Sequence, residues 1–189
     1  MISGLGHINI VVDNIDLASD YYADLLSAVP VQRFNNFKNE GFSKSAGFID
    51  NYNEVDVSIE FLKIGNTNIY LELMEYHSPV SEEVHFHKTP NMIGSVGHIC
   101  LSVSDIDAEF ERVKAHKDVR MISESSAYKP FKISQIKTDE FFFHDEVNEK
   151  NVEEKKKVAD IVSNTRYFYF VDKYNIQWEF EEGHSDIGD

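Results

Sequence analysis

The sequence predicts an α+β fold built from two copies of one βαβββ module, and three observations predict it. The stretch GHINIVVDNID, from Gly6 to Asp16, returns as GHICLSVSDID from Gly97 to Asp107, with six of eleven positions identical. A second pair, IYLELMEY from Ile69 and IQWEFEEG from Ile176, sets Glu72 against Glu179 and Glu75 against Glu182. Between the repeated stretches, apolar residues alternate at strand spacing or recur at helical spacing in the same order in both halves.

The first module spans residues 5–76. Residues 5–12 read as a strand with His7, Asn9 and Val11 on one face and Ile8, Ile10 and Val12 on the other. The apolar face calls for a helix against it. Asp13 is the expected N-cap, Leu17, Tyr21, Leu25 and Ala28 form the buried stripe, and Pro30 ends the helix. A strand over 31–37 leads into a polar loop reaching Asn53, and strands over 55–64 and 68–76 follow, joined at Gly65-Asn66-Thr67.

Residues 77–94, with Pro79, Pro90 and Gly94 as breakers, read as a linker. The second module, 95–183, restarts with a strand at 96–103. Ser104 is the expected cap of a helix carrying Ile106, Phe110 and Val113, and strands follow near 119–123, 132–136, 166–171 and 175–181. The histidine strands are 91 residues apart and the glutamate strands 107, so sixteen extra residues lie in the second half. They fall within 138–164, where EVNEKNVEEKKKVADIV has helical propensity and a thin stripe of Val147, Val158, Ile161 and Val162. The expected form is a solvated surface helix, with a lid or dimer arm as the alternative.

Strand phase selects the chemistry. Glu72 and Glu179 share the side of their strands opposite the apolar Leu71, Leu73, Trp178 and Phe180, whereas Glu75 and Glu182 fall on the covered side and read as solvent-facing strand ends. A single histidine on a strand is ordinarily a core residue. Two histidines and two glutamates at equivalent places are hard to obtain from packing, because bare carboxylates are costly to bury without a counter-charge. The expectation is that His7, Glu72, His98 and Glu179 converge on one divalent metal ion. Cys100, two residues from His98, reads as a small filler, and His85 and His87 read as surface residues of the linker.

Composition narrows the partners. Eighteen basic against 33 acidic side chains give a net charge of −15, which repels phosphate backbones and argues against nucleic acid. No run of 18 apolar residues and no basic-then-apolar leader is found, and one cysteine suits a reducing compartment, so a cytoplasmic protein without a membrane segment is expected.

The pieces GHINIVV, YLELMEYHSP, GHICLSVSDID and YFVDKYNIQWEFEE resemble the vicinal-oxygen-chelate superfamily of glyoxalase I, methylmalonyl-CoA epimerase and the extradiol dioxygenases. The resemblance implies that the two modules pair into an eight-stranded curved sheet, a cup with helices outside, and that the same four residues are the ligands. The His-Glu-His-Glu set is similar to bacterial glyoxalase I, while the GNT turn and the LELMEYHSP run are more like the epimerases, which also suggest Glu54 as a second base. The ion could be Ni, Co, Mn, Zn or Fe, leaving adjacent positions for a substrate with neighbouring oxygens. The expected reaction is that of a lyase or isomerase passing through an enediolate, with Glu179 as the first choice of base and Glu72 as the second. An epimerase, an Fe(II) dioxygenase and a metal-free drug-binding protein are the alternatives. The expected substrate is a small molecule, conceivably a glutathione or CoA conjugate. Arg33, Lys38 and Lys44, or Lys129, Lys132 and Lys137, would meet its negative charge, and a homodimer is expected by analogy.

Overall fold

The computed structural model describes residues 4–81, 88–89, 91–94 and 96–183. The chain divides into two compact units, Met1–His85 and Phe86–Asp189. Each is a mixed sheet with a helix between its first two strands.

In the first unit, β1 (Ile8–Val11), β2 (Ala28–Phe37), β3 (Asp56–Ile64) and β4 (Tyr70–Ser78) form a sheet ordered β1-β4-β3-β2. β1 runs parallel to β4, with Asn9 opposite Glu72, and β3 runs antiparallel to β4, with Phe61 opposite Glu72. Helix α1 (Ile15–Leu26) buries Ile15, Ala18, Tyr21, Tyr22, Leu25 and Leu26. Ile10, Val12, Leu71 and Leu73 are buried as well, as the apolar strand face requires.

Three local expectations for this unit are corrected. The N-cap is Asn14, not Asp13; its side chain accepts from the Leu17 amide at 2.9 Å. Leu17 is 61% exposed, so the buried stripe starts at Ile15 instead. The helix ends before Pro30, because Ser27 adopts a left-handed backbone (φ 52°) and returns its N–H to the Tyr22 carbonyl. Pro30 belongs to the sheet's outermost strand, β2, where a missing N–H is tolerated. The polar loop also holds a short helix, α2 (Glu40–Ser45), capped by Asn39, and a 3-10 turn at Tyr52–Glu54 that leaves Glu54 exposed.

The second unit repeats the plan. Strand β5 (Ile99–Ser102) lies parallel to β9 (Gln177–Glu182), with Cys100 opposite Glu179, and β8 (Arg166–Val171) lies antiparallel to β9, with Tyr169 opposite Glu179. The expected strands near 119–123 and 132–136 shrink to β6 (Arg120–Met121) and β7 (Phe131–Lys132), both paired to β8. Helix α3 (Ile106–Ala115) is capped by Asp105 rather than Ser104. Its stripe of Ile106, Phe110 and Val113 is buried as expected, over a core of Phe168, Phe170, Trp178 and Phe180.

The charged insertion is helical: α4 (Glu146–Glu149) and then α5 (Val152–Asn164), with Ala159 and Ser163 buried. Ser163 Oγ accepts from the Ile136 amide at 3.0 Å and so ties the helix to its own unit. Val147, expected in the stripe, is 76% exposed. His85 and His87 lie outside the described residues. Among the described residues, no helix is long and apolar enough to cross a membrane.

The last residue of the repeated motif has one job in both units. Asp16 and Asp107, each in the first turn of its helix, pair with an arginine of the sheet: Asp16 with Arg33 on β2, and Asp107 with Arg166 on β8 in a two-pronged contact of 2.6 and 2.9 Å. Arg166 holds the Asp107 carboxyl below its ordinary range.

Candidate metal centre

A histidine placed just before the first strand of each unit reaches across to the carboxylate on the adjacent parallel strand. His7 Nε2 stands 3.0 Å from Glu72 Oε2, and His98 Nε2 stands 2.8 Å from Glu179 Oε2. Both imidazoles are partly open and both carboxylates mostly covered, with side-chain exposures of 43% and 14% in the first pair and 40% and 10% in the second. Each histidine also leans on an aromatic ring of the neighbouring antiparallel strand. His7 meets Phe61 edge-on at 5.7 Å between centroids, and His98 meets Tyr169 at 5.1 Å. The four residues named from the sequence therefore form two equivalent pairs, one per unit.

The glutamates have different second partners. Asn9 Nδ2 donates to Glu72 Oε2 at 3.0 Å and to the Glu72 backbone carbonyl at 3.2 Å. At the equivalent place in the second unit stands Cys100, and Glu179 is hydrogen-bonded instead by the Tyr169 hydroxyl. Cys100 Sγ and carboxylate oxygens of Glu179 and Glu181 lie within 4.8 Å of one another. Burial, and then the charge of Glu181, push the Glu179 carboxyl up to about 7 against the pull of Tyr169. Burial likewise raises the Tyr169 hydroxyl, with the charge of Glu179 adding to it. Gln177, on the same face, is buried with its Oε1 lacking a hydrogen-bond partner.

These pairs fit a first-row divalent cation. Two ligand atoms each about 2.1 Å from one ion and at right angles to each other are about 3.0 Å apart, the spacing seen in both pairs. A buried carboxylate beside a second carboxylate is also the environment a cation relieves.

Glu75 and Glu182 are not solvent-facing strand ends. Glu75 Oε2 accepts from the Ile15 amide at 2.8 Å and Glu182 Oε1 from the Ile106 amide at 3.3 Å, so each caps the helix of its own unit. That places a carboxylate at the positive end of the helix dipole. The first candidate basic patch is occupied: Arg33 pairs with Asp16, Lys38 with Asp56 at 3.1 Å and Lys44 with Glu40 at 2.6 Å. In the second, Lys132 donates to Asn164 at 2.7 Å.

Sequence reasoning placed Asn9 and Cys100 on the site face but missed Tyr169. Counting back from Glu179 through the turn to β8 would have found it.

A model of the Glyoxalase/Bleomycin resistance protein/Dioxygenase superfamily matches residues 4–180. Among solved structures, a glyoxalase family protein from Bacillus cereus is similar with a TM-score of 0.62 and 16% identity, over 96% of this chain and 95% of that one. A glyoxylase/bleomycin resistance protein/dioxygenase domain from Frankia is similar with a TM-score of 0.54 and 13% identity, over 97% and 100%. The fosfomycin resistance protein FosX from Listeria monocytogenes, complexed with Mn(II) and sulfate, follows at 0.52 and 18%, over 97% and 95%. At these identities the likeness is one of fold. No curated protein sequence matches the chain.

Proposed function

The chain belongs to the Glyoxalase/Bleomycin resistance protein/Dioxygenase superfamily, and on that premise we propose that it is a metal-dependent lyase or isomerase of the glyoxalase I kind. His7, Glu72, His98 and Glu179 would hold one divalent cation, supplied either within one chain or by exchange of modules between two copies. The observation that carries this reading is the repetition of one His–Glu pair, at 3.0 and 2.8 Å, on the same two strands of each unit. Packing alone gives no reason for that repetition. The Mn(II) in the FosX complex supports testing manganese first.

Such an ion, when bound, is a Lewis acid for two neighbouring substrate oxygens and lowers the cost of charge developing beside them. The protein's own part is to move a proton. Glu179 suits that task because burial brings its carboxyl to about 7, where it can take up and give back a proton at neutral pH. Glu72, held by Asn9 on the oxygen that faces His7, suits a fixed ligand. Return of the proton to the neighbouring carbon is isomerisation, and return to the opposite face of the same carbon is epimerisation.

The test is elemental analysis of the purified protein, followed by solvent-deuterium exchange assays on the hemithioacetal of methylglyoxal with glutathione and on methylmalonyl-CoA. One cation per site, with exchange into either compound, supports the reading. Stoichiometric iron with oxygen uptake on a catechol would turn it to a dioxygenase. No cation, and no thermal stabilisation by any, would turn it to a binding protein.

A further inference from the structure

The duplicated frame makes a residue-by-residue comparison of the two half-sites possible, and the comparison is uneven. Strand register equates His7 with His98, Glu72 with Glu179, Asn9 with Cys100, and Phe61 with Tyr169. The ligands are kept and their supports are exchanged. In the first unit the donor to the glutamate comes from β1, and the ring on β3 is a phenylalanine that has none to offer. In the second unit the β5 position is a cysteine, and the donor comes from the ring on β8.

The two donors differ in kind. The Asn9 side-chain N–H group can only donate, so it suits a carboxylate that stays ionised. A phenol hydroxyl can donate to a carboxylate and can also accept from a carboxylic acid, so it keeps its bond whether or not the partner carries a proton. We propose that Asn9 and Tyr169 are the positioning residues of the two glutamates, Asn9 pinning Glu72 as a permanent anionic ligand and Tyr169 steadying Glu179 through the gain and loss of a proton. This rests on the metal-dependent reading above. Partners that orient a metal ligand are worth about 10- to 100-fold in metal affinity or activity.

Mn(II) titration of the purified protein tests it, with circular dichroism to show that each variant folds. Asn9→Ala, Asn9→Cys and Tyr169→Phe are each expected to weaken Mn(II) binding about 10- to 100-fold. Phe61→Tyr added to Asn9→Cys gives the first unit the second unit's support and is expected to restore binding to within about threefold of wild type. Saturating metal should return turnover to Asn9→Ala but not to Tyr169→Phe. Folded Asn9→Ala or Tyr169→Phe protein binding Mn(II) as wild type does would overturn the proposal, as would failure of Phe61→Tyr to restore binding. If wild type itself binds no Mn(II) or other divalent metal, the preceding reading falls instead, and the two failures are told apart by the wild-type titration alone.

Discussion

Replacing Glu179 by glutamine should change how the metal-free protein responds to pH, and the size of the change follows from where the carboxyl sits. Its folded pKa is raised from 4.5 to about 7, chiefly by burial, with Glu181 adding to it. A carboxyl raised on folding contributes stability that is fully present below its unfolded pKa and is lost as pH rises through the folded one. The window is therefore about pH 4.5 to 7. At 1.36 kcal/mol per pKa unit the full shift would be worth about 3.4 kcal/mol, and water reaching the partly open site reduces that to about 2 kcal/mol. For a chain of this size that is a fall in Tm of about 4–8 °C relative to a variant whose side chain cannot ionise. The assay is a series of thermal melts from pH 4.5 to 8 on chelator-treated wild type and Glu179→Gln. Wild type should lose ground to the variant across that window, and added metal should reverse the loss more at pH 8 than at pH 6, because binding must displace the proton. Parallel pH profiles for the two proteins would refute the reasoning.

Two further perturbations test the frame around the site. Glu75→Ala and Glu182→Ala each remove a helix cap supplied from a distant strand; each should cost about 1 kcal/mol and speed amide exchange in the first turn of α1 or α3. Arg33→Met should cost about 3 kcal/mol or more in chemical denaturation, because it strips the buried Glu60 carboxylate of the cation 3.9 Å away, and adding Glu60→Leu should recover most of the loss.

Much of this architecture was legible because the chain states it twice. The GHI motif and the glutamate strands gave the strand order of each unit, the faces of the strands and the pairing of His7 with Glu72 and His98 with Glu179. What escaped was whatever depends on partners far away in sequence. Glu75 and Glu182 looked like strand ends because the amides they cap lie 60 and 76 residues away. The N-caps were misplaced by one residue because Asp13 and Asn14, like Ser104 and Asp105, are adjacent residues that can both cap, and only backbone geometry chooses between them. Helix α2 was hidden in a polar loop because a six-residue helix that buries only Ser43 leaves no periodic stripe to read.

Metal titration of the wild-type protein, compared with His7→Ala, Glu72→Ala, His98→Ala and Glu179→Ala, addresses the shared-cation claim most directly. The account predicts one divalent cation per complete His-Glu-His-Glu set and a large loss of affinity from each of the four changes, whichever unit carries it. Two cations per set, or loss confined to the changes in one unit, would contradict it.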